Sequence, residues 1–278
     1  MNSYAYYNGQ FDVYDKIKIP LYDRALFFGD CIYDAAIGRY DRILWEEEHI
    51  ERFLSNAKRL GIKHNYTFKK LSSLLREIAI KAKIEWYFMY FSLSRRSDRR
   101  IHSAANCQGS NLLITIEPMK VKENNPPMKL ITQEDNRYGY CDIKTTNLLP
   151  AVMACTSAEN AACDEAVFHR NGIITECAKS NISIIIQGRI KTHPVSNRIL
   201  PGITRAHLLK AANELGIDCE ETPFTISEMF SADEIIVTST SKLCRLVNEI
   251  DGLSVGGKSS QIAGELCRKV YDEYRNFC

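Results

Sequence analysis

Between Pro118 and Pro127 the chain reads Pro-Met-Lys-Val-Lys-Glu-Asn-Asn-Pro-Pro, a stretch that suits neither a helix interior nor a central strand. Its prolines fix φ and remove backbone donors, and the polar residues between them offer little to a core. The segment divides the 278 residues into a first part, 1–117, a linker, 118–127, and a second part, 128–278. Each part is long enough to bury a core of its own.

Periodicity differs on the two sides of this break. In the first part, Tyr4 to Phe11 reads as a hairpin about Asn8-Gly9, and Ile32 to Tyr40 as a strand turning at Asp41-Arg42. Ile50, Phe53, Leu54, Ala57 and Leu60 recur at helical spacing and predict a helix from Glu46 to Leu60 ending at Gly61. Leu71, Leu74, Leu75, Ile78 and Ala82 predict a second, Phe68 to Lys83. Strands follow at Tyr87 to Ser94 and Asn111 to Glu117. In the second part strands and helices alternate: strand Met128 to Gln133, helix Ala151 to Ala161, a hairpin about Asn171-Gly172, strand Ile182 to Ile186, helix Arg205 to Leu215, strand Ile235 to Thr238 and a last helix Ser260 to Tyr274. No internal repeat or low-complexity segment interrupts them.

Composition excludes several classes of function. A net charge of +2, without a basic block interleaved with aromatics, argues against nucleic acid. No apolar run reaches membrane-spanning length and no signal-peptide core precedes the first hairpin, so a cytoplasmic protein is expected. The 10 cysteines are scattered, without the C-x-x-C or Cys/His spacing of a zinc site. Reduced thiols and no metal are expected.

Three segments carry chemistry. Asp142-Ile143-Lys144-Thr145-Thr146-Asn147-Leu148-Leu149-Pro150 places one lysine among apolar and small polar residues. A lysine snorkelling from a strand end is one reading; the other is an ammonium drawn from water until its neutral amine serves as a nucleophile. Glu176 ends the second strand of the Asn171-Gly172 hairpin, where it is either a solvated loop residue or a carboxylate holding a proton on a pyridine nitrogen. Leu200-Pro201-Gly202-Ile203-Thr204-Arg205 is a turn leading into a helix, whose unpaired N–H groups suit a phosphate. Thr238-Ser239-Thr240-Ser241 follows a strand and offers further hydroxyls. Each segment is common alone, and their order is more specific than any one of them.

The chain resembles the class IV aminotransferases. The resemblance runs nearly end to end, through Tyr7-Asn8-Gly9, Asp23-Arg24-Ala25-Leu26-Phe27-Phe28-Gly29-Asp30-Cys31-Ile32-Tyr33-Asp34, Glu48-His49-Ile50-Glu51-Arg52-Phe53, the lysine segment, Thr175-Glu176 and Leu200 to Arg205. It implies an α/β fold, with an α+β N-terminal domain, a C-terminal α/β pseudo-barrel domain and the cofactor between them, the fold type IV of pyridoxal-phosphate enzymes. It implies that Lys144 forms a Schiff base with pyridoxal 5'-phosphate and that Glu176 faces the pyridine nitrogen. It assigns the phosphate to Arg52, the backbone of Ile203 and Thr204, and the Thr240 hydroxyl, and the packing against the ring to Leu200. Glu165 and Arg137 take supporting places near the lysine.

Within the family, Arg100-Ile101-His102 and Tyr33 match the substrate-carboxylate trap of the D-amino-acid transaminases, which implies a homodimer acting on an amino acid and a 2-oxo acid, D-alanine and 2-oxoglutarate among them. An aminodeoxychorismate lyase and a branched-chain L-aminotransferase are the alternatives. A mobile basic loop is the competing reading of Arg95 to His102. There are two departures from the family pattern: Cys31 stands where glycine is usual, and Cys177-Ala178-Lys179 replaces a run of small residues.

Overall fold

A computed structural model of the chain describes residues 3–277, which group into two compact units. One comprises residues up to Lys120 together with Ile143–Asn147, and the other Val121–Asp142 with Leu148 onward.

The first unit contains β1 (Tyr4–Tyr7), β2 (Gln10–Val13), α1 (Arg24–Phe28), β3 (Cys31–Arg39), β4 (Arg42–Ile43), α2 (Glu46–Arg59), α3 (Phe68–Ala82), β5 (Trp86–Arg95) and β6 (Ser110–Pro118). Its strands form one antiparallel sheet in the order β2-β1-β6-β5-β3-β4. On β5, Tyr87, Met89 and Phe91 are buried while Phe88 and Tyr90 are half-buried, the period-two pattern of a strand with one face on a core. That core is closed by Ile50, Phe53 and Ala57 of α2 and by Leu71, Leu75 and Ile78 of α3. Three acidic residues open α2 and Lys58-Arg59 close it, as its dipole favours. The side chain of Thr67 caps α3 by accepting from the Lys70 N–H.

The second unit contains β7 (Met128–Glu134), α4 (Leu149–Asn160), β8 (Glu165–Arg170), β9 (Ile173–Cys177), β10 (Asn181–Ile186), β11 (Arg189–Thr192), α5 (Ile203–Glu214), β12 (Cys219–Glu221), α6 (Ile226–Ser231), β13 (Glu234–Ser239), β14 (Leu243–Ile250), β15 (Leu253–Ser254) and α7 (Ser260–Phe277). Eight strands follow the order β12-β11-β10-β13-β14-β7-β8-β9, with β15 on β14. The pairs β11–β12, β14–β7 and β7–β8 are parallel and the rest antiparallel. This order forces curvature. A flat sheet would hold β9 and β10 five strand spacings apart, roughly 24 Å. The chain joins Cys177 to Asn181 through residues 178–180, a reach of about 14 Å at most. The sheet therefore rolls back on itself, the expected pseudo-barrel.

The hairpin at Asn171-Gly172 is present, with φ of +50° and +79° at the two residues, a pair of left-handed positions that asparagine and glycine tolerate. Two expected helices begin earlier than the periodicity indicated. α4 starts at Leu149, with Pro150 in the first turn where its missing donor costs nothing. α5 starts at Ile203, directly after Gly202. The short elements α1, α6, β4, β11, β12 and β15, and the longer β14, carry no pattern that had marked them.

Candidate active site

In the first unit Lys144 is held by main-chain bonds. Its carbonyl accepts from Tyr33 N–H at 2.8 Å, Thr146 N–H donates to the Cys31 carbonyl at 3.1 Å, and Ile32 and Thr145 form an antiparallel bridge. The segment thus lies beside the start of β3 as a short added strand. The half-buried Lys144 side chain puts Nζ 4.6 Å from the centroid of the Tyr33 ring, which itself stacks on Tyr90.

One residue beyond Tyr33, Asp34 is fully buried. Arg52 grips it side-on, Nε to Oδ2 at 2.8 Å and Nη2 to Oδ1 at 2.8 Å, and His49 Nδ1 lies 2.7 Å from Oδ1. Burial alone would raise the Asp34 pKa, but the Arg52 charge and the hydrogen bonds from Arg52 and His49 outweigh it and hold the carboxyl well below its usual range. Burial lowers the His49 pKa. With Nδ1 on the carboxylate, the geometry places the imidazole proton there and leaves Nε2, which is buried and has no partner among the described residues.

Arg100 and His102 are exposed, in a loop with a definite anchor. Arg24, buried on α1, donates to the carbonyls of Ile101 at 2.6 Å and His102 at 3.0 Å and to Asp30 at 2.8 Å. Asp30 also accepts from Arg95 at 2.9 Å. The Phe28 ring lies against Arg24, Arg100 and His102. The loop is braced by a paired arginine and an aromatic platform, a different arrangement from a free basic surface.

The second unit carries the remaining candidates. Glu176 is 5% exposed, which rules out the solvated reading. Its Oε2 accepts from Asn181 Nδ2 at 2.8 Å and from Leu200 N–H at 3.0 Å, and its Oε1 pairs with Arg137. Arg137 also forks onto Asp135 through Nε and Nη2, both at 2.9 Å, and stacks over Phe168. Asn181 donates in addition to the Leu200 carbonyl at 2.9 Å. A Cβ on Gly202 would overlap the Asn181 amide oxygen, so the close approach of turn and strand needs glycine there.

Ile203 and Thr204 form the first turn of α5, which begins at Gly202 without a side-chain cap. The hydroxyls of Thr204 and Thr238 are buried and have no partner among the described residues. On β13, Thr238 pairs across the strand with Asn181 and so shares its face; Thr240 follows in the turn after the strand. Unpaired helix N–H groups and orphaned hydroxyls are a donor set that fits a phosphate-bearing group.

The two departures are accommodated differently. Cys31 is buried and its thiol is pushed up to about 12 by burial, which leaves it inert. Cys177 is buried with its pKa raised, whereas the Lys179 side chain is exposed. The Lys179 N–H and the Ser180 hydroxyl both donate to Glu165, at 2.8 and 2.6 Å. Sequence reasoning gave no role to Asp34, His49 or Asn181. An acid at an inward position of β3 was a signal that a buried cation must face it.

Two units of this construction, a lysine clipped to a strand start and a deeply bonded carboxylate beside an uncapped helix on a curled sheet, define an α/β enzyme. A family model described as amino-transferase class IV matches residues 33–250. The chain belongs to the class IV aminotransferases and is a pyridoxal-phosphate-dependent enzyme. It is 35% identical over 277 residues to a D-alanine aminotransferase of Staphylococcus epidermidis, covering 98% of this chain and 97% of that one. A D-alanine aminotransferase of Bacillus licheniformis is 32% identical over 273 residues, 97% of this chain and 95% of the relative. Among solved structures, a branched-chain aminotransferase of Thermoproteus uzoniensis superposes with a TM-score of 0.89 at 22% identity, over 100% of this chain and 97% of that one. A putative 4-amino-4-deoxychorismate lyase of Legionella pneumophila does so with 0.85 at 23% identity, over 93% and 97%. These two likenesses show the shared fold.

Proposed function

We propose that the protein is a D-amino-acid transaminase that moves the amino group of a D-alanine-like donor to a 2-oxo acid such as 2-oxoglutarate, working as a homodimer. The anchoring of Arg100-Ile101-His102 by Arg24 carries this reading, because it turns two exposed cationic or hydrogen-bonding side chains into a presented pair. Similarity to D-alanine aminotransferases over nearly the whole chain supports it.

In this reading Lys144 would hold the cofactor, and its free amine would move a proton at the substrate Cα. Glu176 holds a proton on the pyridine nitrogen, and Arg137, Asn181 and the Leu200 N–H fix the carboxylate in that duty. Arg52, the N–H groups of Ile203 and Thr204, and the Thr240 hydroxyl would take the phosphate, and Leu200 would pack on the ring. When bound, the cofactor supplies the electron sink for the electrons left on Cα. Tyr33, Arg100 and His102 hold the substrate carboxylate: a guanidinium and an imidazole donate, and a phenol completes the set. Glu165 braces the turn after Glu176.

Two exposed apolar surfaces support the dimer. In the first unit Ile19, Leu21, Tyr22 and Leu26, on and just before α1, and Ile101 of the anchored loop are exposed, and in the second Leu149, Val152 and Met153 are exposed together on α4. A second copy of the chain would cover such faces and remove water from the Arg100–His102 pair.

The test is Arg100→Ala assayed with D-alanine, L-leucine and aminodeoxychorismate. Losing a charged hydrogen bond from a partly dry site costs about 2–5 kcal/mol, so KM for D-alanine should rise at least about thirtyfold with the cofactor spectrum unchanged. Unaltered D-alanine kinetics, or a wild-type enzyme that prefers either of the other substrates, defeats the proposal.

A further inference from the structure

The first unit contains a buried acid that the proposed chemistry leaves without a task. Asp34 faces inward from β3 with no exposure, and a carboxylate survives there only when fully paired. Its two side-chain partners come from α2, where His49 and Arg52 lie one turn apart, and Oδ1 also accepts from the Ala35 N–H at 2.8 Å. The carboxylate takes Nε and Nη2 of Arg52 in a two-point fork and Nδ1 of His49 on the same oxygen as Nη2. A fork fixes the plane of a guanidinium as well as its position.

We propose that Asp34 is a positioning residue: its carboxylate fixes the Arg52 guanidinium and, through it, the preference for a phosphorylated over an unphosphorylated form of the cofactor. This rests on the reading of Arg52 as a phosphate ligand and Lys144 as the attachment point. An arginine side chain is long and flexible, and free in solution it spreads its donors over many directions. Held by Asp34 it presents them in one, so the cost of ordering is met by folding and not by ligand binding. Lys144 does not depend on this clamp. Its segment is fixed by main-chain bonds to Cys31 and Tyr33 and by the bridge at Ile32, none of which uses the Asp34 side chain. Loosening Arg52 should therefore spare attachment at Lys144 and harm only recognition of the phosphate.

The experiment measures equilibrium binding of pyridoxal 5'-phosphate and of pyridoxal, by absorbance, to apo wild type, Asp34→Asn, Asp34→Glu, Arg52→Lys and the double variant Asp34→Asn/Arg52→Lys. In Asp34→Asn the preference for the phosphorylated ligand should fall about tenfold or more, with pyridoxal binding within about twofold of wild type. Asp34→Glu keeps a carboxylate for both partners, and its preference should stay within about threefold of wild type. In the Arg52→Lys background, Asp34→Asn should add no further loss, since two residues acting through one contact are not additive. A folded Asp34→Asn that keeps the preference, or loses both ligands equally, overturns the proposal. So does a folded Asp34→Glu with the full loss, which decides the matter if the amide variant does not fold. A wild-type protein that binds neither ligand at Lys144 overturns the functional reading itself.

Discussion

Lys144 owes its place to its backbone. The bonds that clip residues 144–146 to β3 involve carbonyls and N–H groups, and the side chain adds its approach to Tyr33. Lys144→Ala should accordingly fold with a melting temperature within a few degrees of apo wild type while activity falls by about a thousandfold or more. Borohydride reduction and peptide mapping provide the check; a reduced cofactor on a different lysine would refute the assignment. Glu176 is the opposite case, a side chain whose every bond matters. Glu176→Gln can still accept from Asn181 and Leu200 but brings no charge to Arg137 or to a ring proton, and kcat should drop by about 10²–10³-fold with cofactor retained. Wild-type kcat in that variant would make the carboxylate a bystander. At this scale the sequence displays residue types but not their company. Residue type alone favoured a solvated Glu176, because Arg137 lies 39 positions away and Asn181 looked like an ordinary turn residue. Asp34 was visible as an acid in a strand, yet only the fold brings α2 across to meet it.

Among the elements, the long amphipathic ones were legible and the short ones were not. α2, α3, β5 and α7 announce themselves through a repeated apolar period. By contrast β12 and β15 span three and two residues, too few for any period to show. The starts of α4 and α5 were misplaced because Pro150 and Gly202 read as breaks, whereas each sits at a helix N-terminus that suits it. The turn before α5 depends on Gly202 in a way that can be measured. Adding a methyl there displaces Asn181, whose amide ties Glu176 to Leu200. Gly202→Ala should lose about 1–3 kcal/mol of stability, the usual cost of overpacking, and weaken cofactor retention as well. Unfolding in urea, followed alongside cofactor release on dilution, tests both, and a variant equal to wild type in both would show that the turn has room to spare.

For the whole molecule, the polar stretch at residues 118–127 lies where the chain passes from the first unit to the second, between Lys120 and Val121. Linear reading could not show that residues 143–147 pair with β3, a bond partner more than a hundred positions earlier. The sequence implied a dimer only through its resemblance to a family; the apolar faces that support one were hidden, since exposure is a property of the folded surface. If the faces around Leu21 and Leu26 and on α4 are covered by a second copy, light scattering at micromolar concentration should report a dimer. Leu21→Glu should then shift it toward monomer and reduce activity in step. A fully active wild-type monomer would contradict the dimer.

The return of residues 143–147 to the first unit also bears on synthesis. A ribosome releases the chain from its N-terminus, so β1 to β6 emerge well before the segment that pairs with β3. Until residue 147 has left the exit tunnel, the start of β3 is an unfinished edge and the lysine has no seat. The amine proposed to react is thus among the last parts of its unit to be installed, after all the packing that surrounds it has had time to form. A nascent chain halted at residue 120 should be compact but unable to capture the cofactor.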